Sequence, residues 1–142
     1  MTRARRSLGR EGEERAARHL EARGYQIVAR NVRAGRIEID LIAREGRTLV
    51  FIEVKTRRRS GPGAFGGHGA AAEAVDPRKQ ARLRRGASAW LAAHPEIRRA
   101  GVRFDVVTCL RDEARGVLAP LNDDTAHPGD ARWSIEHWRG AF

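Results

Sequence analysis

A chain of 142 residues that is 41% hydrophobic and 32% charged has the makings of one domain with a buried core, and it is too apolar for a disordered tail. Its one cysteine, Cys109, excludes an intrachain disulfide and a multi-cysteine zinc site and suits a reducing cytoplasm, while no apolar run approaches the roughly 18 residues of a membrane span and no signal-peptide core opens the chain. Lysine and arginine outnumber aspartate and glutamate 28 to 18, a formal net charge of +10 that favours a polyanionic partner, most simply nucleic acid.

In chain order, Ser7 to Arg23 predicts a helix. Ala16, Ala17 and Leu20 fall at helical spacing, Glu13 and Glu14 sit near its start, and Gly24 offers a left-handed stop. Tyr25–Arg30 (YQIVAR) reads as a short strand, followed by two longer ones, Arg36–Arg44 (RIEIDLIAR) and Thr48–Thr56 (TLVFIEVKT), with a turn at Gly46. Residues 57–75 are rich in arginine, glycine and alanine and poor in large apolar side chains, which predicts a flexible loop. Asp76-Pro77 is an N-cap followed by proline at the first helical position, opening a second helix that Pro95 ends. Val102–Leu110 (VRFDVVTCL) is a further strand, and its separation from Thr48–Thr56 by a helix implies a right-handed crossover and parallel pairing. The tail 112–130 is loop-like, and Ala131–Trp138 (ARWSIEHW) is read as an added edge strand. The order αβββαβ predicts a single α/β domain over 1–142, with a central mixed sheet of about four strands flanked by helices.

Charges interrupt the two longer strands at regular positions. Ile37, Ile39 and Leu41 alternate with Glu38 and Asp40, and Val50, Ile52 and Val54 alternate with Phe51, Glu53 and Lys55, so each strand has an apolar face and a charge-bearing face. In a hairpin the apolar faces must coincide. Partner numbers then sum to an odd value such as 91 or 93. Either register gathers Glu38, Asp40, Glu53 and Lys55 on one face. Two readings stand: solvated cross-strand ion pairs of little energetic worth, or a divalent-metal site, since carboxylate oxygens suit Mg²⁺ and paired carboxylates repel without a cation. In the second, the Lys55 ammonium would hold the attacking water and steady the charge that develops at phosphorus. Of the 28 basic residues only Lys55 and Lys79 are lysines. A simple salt bridge at position 55 could use the arginine this chain uses elsewhere, whereas a compact ammonium aimed at one water could not be replaced by a guanidinium.

Asp40 followed by Glu53-Val54-Lys55 on an adjacent strand resembles the PD-(D/E)xK nuclease superfamily. A wider set of residues resembles the YraN family of bacterial proteins, whose fold is similar to that of Holliday-junction resolvases. It comprises Gly12-Glu13 with Ala16 and Leu20, Gly24-Tyr25, Asn31, Glu38-Ile39-Asp40-Leu41-Ile42, Phe51 through Arg57, Lys79, Arg103 through Val107, and Ala141-Phe142. The resemblance implies a restriction-endonuclease-like core. It implies that Asp40 and Glu53, with the backbone carbonyl of Val54, ligate Mg²⁺ or Mn²⁺, that Lys55 is the general base or water-positioning group, and that Glu13 completes the acidic cluster. Where the family usually carries glycine before Glu-Ile-Asp, this chain has Ile37.

The expected activity is metal-dependent endonucleolytic hydrolysis of phosphodiesters in DNA, branched or otherwise structured. The alternative is a non-catalytic nucleic-acid-binding protein that retains the nuclease fold. Arg57, Arg58, Arg59, Arg78, Lys79, Arg82 and Arg85 are the candidate contacts to backbone phosphates. The glycines of 61–69 lack the Lys-Ser/Thr of a phosphate loop, so no nucleotide cofactor is expected. A homodimer would suit a junction-cutting enzyme, though no residue specifies one.

Overall fold

The computed structural model of the chain describes residues 3–59, 75–112 and 132–142. Among the described residues the elements follow as α1 (Arg3–Glu21), β1 (Gln26–Ala34), β2 (Ile37–Glu45), β3 (Thr48–Arg59), α2 (Pro77–Ala93), β4 (Gly101–Asp112) and β5 (Arg132–Trp138). The strands lie in sequence order in one five-stranded sheet, with β3–β4 parallel and the other neighbours antiparallel. This is the expected mixed α/β architecture, compatible with a restriction-endonuclease-like core, and β5 is the edge strand read from ARWSIEHW.

Two tight turns set the first three strands. Gly35 and Arg36 both have positive φ (56° and 73°) between the paired residues Ala34 and Ile37, as a type I′ hairpin turn requires. Gly46, at φ 58°, opens the next two-residue turn between Glu45 and Thr48. That turn fixes the β2–β3 register as Leu41↔Ile52 and Ala43↔Val50, which is the partner sum of 93 among the two expected registers. On α2, Asp76 caps as expected, its carboxylate accepting from the Lys79 N–H at 2.9 Å, with proline entering the first turn. The helix then returns the chain for a twelve-residue parallel ladder from Thr48↔Gly101 to Arg59↔Asp112.

Several boundaries differ from the sequence expectation. β1 runs on to Ala34 rather than stopping at Arg30, because Asn31 takes a positive φ of 48° inside the strand without breaking its pairing to β2. β3 continues through Arg57 and Arg58 to Arg59, held by β4, so the expected loop of 57–75 overlaps the strand; residues 60–74 lie outside the described residues, as do 113–130 of the expected tail and Ala131 of the expected edge strand.

The larger correction concerns the faces of the sheet. The alternation predicted one apolar face and one charged face, yet both are covered by helices. Ala16, Ala17 and Leu20 of α1 pack on Leu41, Ala43, Val50, Ile52, Val107 and Cys109. Ala87 and Trp90 of α2 pack on Ile42, Leu49 and Phe51, with the Phe51 and Trp90 rings edge-on at 6.0 Å. Ile37 and Ile39 lie against α2 with Ile42 whereas Leu41 packs under α1, so the expected alternation of β2 slips at Asp40, between Ile39 and Leu41; Glu53 keeps the parity of Phe51, beyond the core end of the α2 face. Two close approaches seat the helices. A Cβ on Gly12 would strike the Thr56 side chain, and one on Gly86 would come within 2.9 Å of Ile37 Cγ2. Among the described residues no helix is long and apolar enough to cross a membrane.

Candidate functional site

Past Leu41↔Ile52 the β2–β3 ladder gives no further paired residues, and the strands part. Asp40 closes that gap with its side chain: Oδ2 accepts from the Val54 N–H at 2.9 Å. The carboxylate serves where a backbone carbonyl of a continuing strand would otherwise bond, and so it is drawn between β2 and β3. Glu53, one residue before Val54, is buried at 6% exposure. The two acids therefore stand together at the C-terminal half of β3 and the N-terminal half of β2, near enough for the charge of Glu53 to act on Asp40.

Burial there lacks full compensation. It pushes the Asp40 carboxyl up to about 8, reinforced by the neighbouring negative charge of Glu53 and, more weakly, of Glu13, against the opposing Val54 hydrogen bond. Glu13 is brought in by α1, whose close approach at Gly12 sets the next residue against the end of β3. Its carboxyl is also raised, first by burial and then by Glu38 and Glu53, while a hydrogen bond from Asn31 works the other way. Glu13, Glu38, Asp40 and Glu53 thus feel one another, although Glu38 is exposed.

Two ammonium groups balance the acids. Lys55 Nζ lies 3.4 Å from Glu53 Oε1, and Lys79 Nζ lies 2.5 Å from the same oxygen. Burial and then the nearby Lys79 charge lower the Lys55 pKa. Lys79 shifts the other way: burial opposes its charge, but the bond to Glu53 outweighs burial and raises it.

The structure brings the candidate residues Glu13, Asp40, Glu53 and Lys55 together, and it adds Lys79, which the sequence had suggested only as a phosphate contact. The signal for Lys79 was present in the composition. The chain has two lysines among 28 basic residues, and both converge on one glutamate. Asn31 was also noted without a role. Its positive φ, on the strand next to Asp40, places its amide on Glu13.

Arg57 and Arg58 extend from the site along the exposed end of β3, and Arg78, Arg82 and Arg85 form an exposed stripe at helical spacing on α2. Arg59 ends the strand.

As for cofactors, the described residues contain no group of three His, Cys, Asp or Glu side chains placed to hold a metal ion. The donor set suits a hard ion only in the sparse manner of Mg²⁺, through two carboxylates with water and substrate oxygens completing the shell. The raised Asp40 carboxyl fits that use, because a cation between the acids would relieve their repulsion.

The sequence model of a family described as "Uncharacterised protein family UPF0102" matches residues 12–109. A UPF0102 protein of Halorhodospira halophila is 53% identical over 120 residues, covering 84% of this chain and 91% of that one. A UPF0102 protein of Beutenbergia cavernae is 51% identical over 138 residues, covering 97% and 98%. One of Frankia alni is 47% identical over 140 residues, covering 99% and 98%.

Proposed function

The chain belongs to the UPF0102 (YraN) family, and on that premise we propose that it is a cytoplasmic, metal-dependent endonuclease that hydrolyses phosphodiester bonds in DNA, with branched or otherwise structured DNA as its substrate class. One observation carries the reading: Asp40 and Glu53 stand beside each other at the parting of β2 and β3, with the Lys55 ammonium 3.4 Å from Glu53. A solvated ion-pair ladder would not bury Glu53 to 6% exposure or hold Asp40 in the protonated range near neutrality.

In this reading Asp40 and Glu53 hold Mg²⁺ or Mn²⁺. The Val54 carbonyl is a third donor, because the N–H and C=O of one strand residue project to the same side and its N–H already meets Asp40. The bound ion would supply Lewis acidity toward a phosphate oxygen and lower the pKa of a coordinated water. Lys55, held by a rigid strand, orients the attacking water as an ammonium or, since its pKa is lowered, takes that water's proton in its neutral amine form. Glu13 completes the acidic wall from α1, positioned by Asn31. Arg57, Arg58, Arg59, Arg78, Arg82 and Arg85 grip backbone phosphates on either side of the scissile bond. The +10 charge of the chain supports a polyanionic substrate.

The test is incubation of the purified protein with linear, nicked and four-way DNA in Mg²⁺ or Mn²⁺, beside Asp40→Asn and Lys55→Ala. Metal-dependent cleavage that both variants lose by at least about a hundredfold is the expected result. Salt-sensitive DNA binding without cleavage in the wild type would instead favour the second reading, a binding protein that keeps the nuclease fold. The basic stripe on α2 is the observation that favours that alternative.

A further inference from the structure

Both lysines of the chain address one oxygen, and they reach it from different supports. Lys55 projects from β3, flanked by β4, and its side chain is 24% exposed. Lys79 comes from the first turn of α2, and its side chain is 39% exposed, so its four-carbon stem has room to swing outward. Yet Lys79 makes the closer contact, 2.5 Å against 3.4 Å.

A buried carboxylate beside a second carboxylate requires a nearby positive charge. In the structure Lys79 supplies most of it. An ammonium nitrogen 2.5 Å from Glu53 Oε1 occupies one of the approaches by which a divalent ion would reach that oxygen at about 2.1 Å. A dication added there would also meet two ammonium charges already in place.

We propose that Lys79 is the resident counter-ion of Glu53 in the metal-free protein and that metal binding displaces it. The inference rests on the proposed metal position at Asp40 and Glu53. It gives Lys79 a positioning role: holding Glu53 in its ligating pose until the ion arrives, then leaving. The displaced ammonium moves outward to solvent, toward which its side chain is already 39% exposed. Lys55, on the more confined strand, stays at the site to meet the attacking water.

The presence of only two lysines makes a direct test simple. The intact wild-type protein is labelled with a water-soluble acetylating ester with and without Mn²⁺, and the two lysine peptides are read by mass spectrometry. Mn²⁺ is expected to raise the Lys79 labelling rate several-fold, as the ammonium leaves its ion pair. In parallel, Mn²⁺ affinity is measured by calorimetry for wild type, Lys79→Met, Lys79→Arg and Asp40→Asn. Removing the competing charge is expected to tighten Mn²⁺ binding about tenfold in Lys79→Met, with a lower melting temperature in EDTA that Mn²⁺ restores. Lys79→Arg, which keeps the charge, is expected to bind no tighter than wild type.

Unchanged Lys79 labelling with Mn²⁺ bound would overturn the exchange, as would equal affinity in wild type and Lys79→Met. If Asp40→Asn still abolishes binding in those cases, the metal position itself survives. A tightening in Lys79→Arg as large as in Lys79→Met would also overturn it. Absence of Mn²⁺ binding in both wild type and Lys79→Met would defeat this inference and the metal site together.

Discussion

Two aspartates in the same sheet, one buried and one half-buried, respond in opposite directions. Asp105 on β4 is fully buried, and burial alone would raise its pKa. Arg103, His137 and the Gly140 N–H outweigh that effect and hold it at about 2. Arg103 bonds both of its oxygens at 2.8 and 2.9 Å, His137 Nε2 lies 2.7 Å from Oδ2, and the Gly140 N–H donates to Oδ1 at 2.9 Å. Arg103 itself is tied to Glu45 and to the Tyr25 hydroxyl. Asp40 has one backbone donor and two or more acidic neighbours, and its carboxyl rises to about 8. The contrast separates structure from chemistry. A carboxylate surrounded by donors welds β4, β5 and the turn after Trp138 together. A carboxylate short of donors is one whose repulsion a cation would relieve, which is the use the proposed function makes of it.

The most forceful way to break this contrast is to neutralise each acid in turn. Asp105→Asn strands the Arg103 charge and is expected to cost about 3–5 kcal/mol in urea unfolding. Asp40→Asn removes repulsion and is expected to leave metal-free stability unchanged or higher. Equal losses in the two variants would erase the distinction. Next in size is Gly12→Ala, whose added methyl collides with Thr56 and lifts α1 from β3. Its expected cost is about 1–3 kcal/mol, and the Asp40 titration followed by NMR should fall as Glu13 retreats.

The pH dependence of melting in EDTA sharpens the comparison further. The folded-state value of Asp40 lies above the ordinary 3.8, so the folded state holds the extra proton, and stability should decline as pH rises from about 4 to about 8. Asp105 lies below 3.8, so its contribution is complete above about pH 4 and is lost as pH falls through about 2. Asp40→Asn should flatten the first limb and Asp105→Asn the second. The smallest expected effect belongs to Asn31→Gly, which keeps the positive φ while deleting the amide. Stability should change by less than about 1 kcal/mol, while the Glu13 carboxyl titrates higher.

The acid pair was legible in the sequence because it depends on a local rule. Alternation and a short turn restrict the hairpin register to odd sums, and every such register brings Asp40 toward Glu53 and Lys55. The N-cap at Asp76 and the parallel return of β4 were legible for similar reasons. The cover over the charged face was not, because Phe51 and Ile42 become core only when α2 docks on them. Lys79 escaped for the same cause: its meeting with Glu53 joins residues far apart in the chain through the placement of a helix. The Asp105 network joins Tyr25 just before β1 with β2, β4, β5 and the residues after β5 and leaves no periodic trace, so RFDVV offered a pattern without its physics.

The Ile37 side chain fits against the bare Cα of Gly86. Knob and socket belong to different elements, so they must be inherited as a unit. A chimera that imports α2 from a homologue with a larger residue at the socket would jam against β2. Placing glycine at the knob alone would leave a void under the strand that carries Asp40. Anyone recombining these proteins should exchange the strand and the helix together.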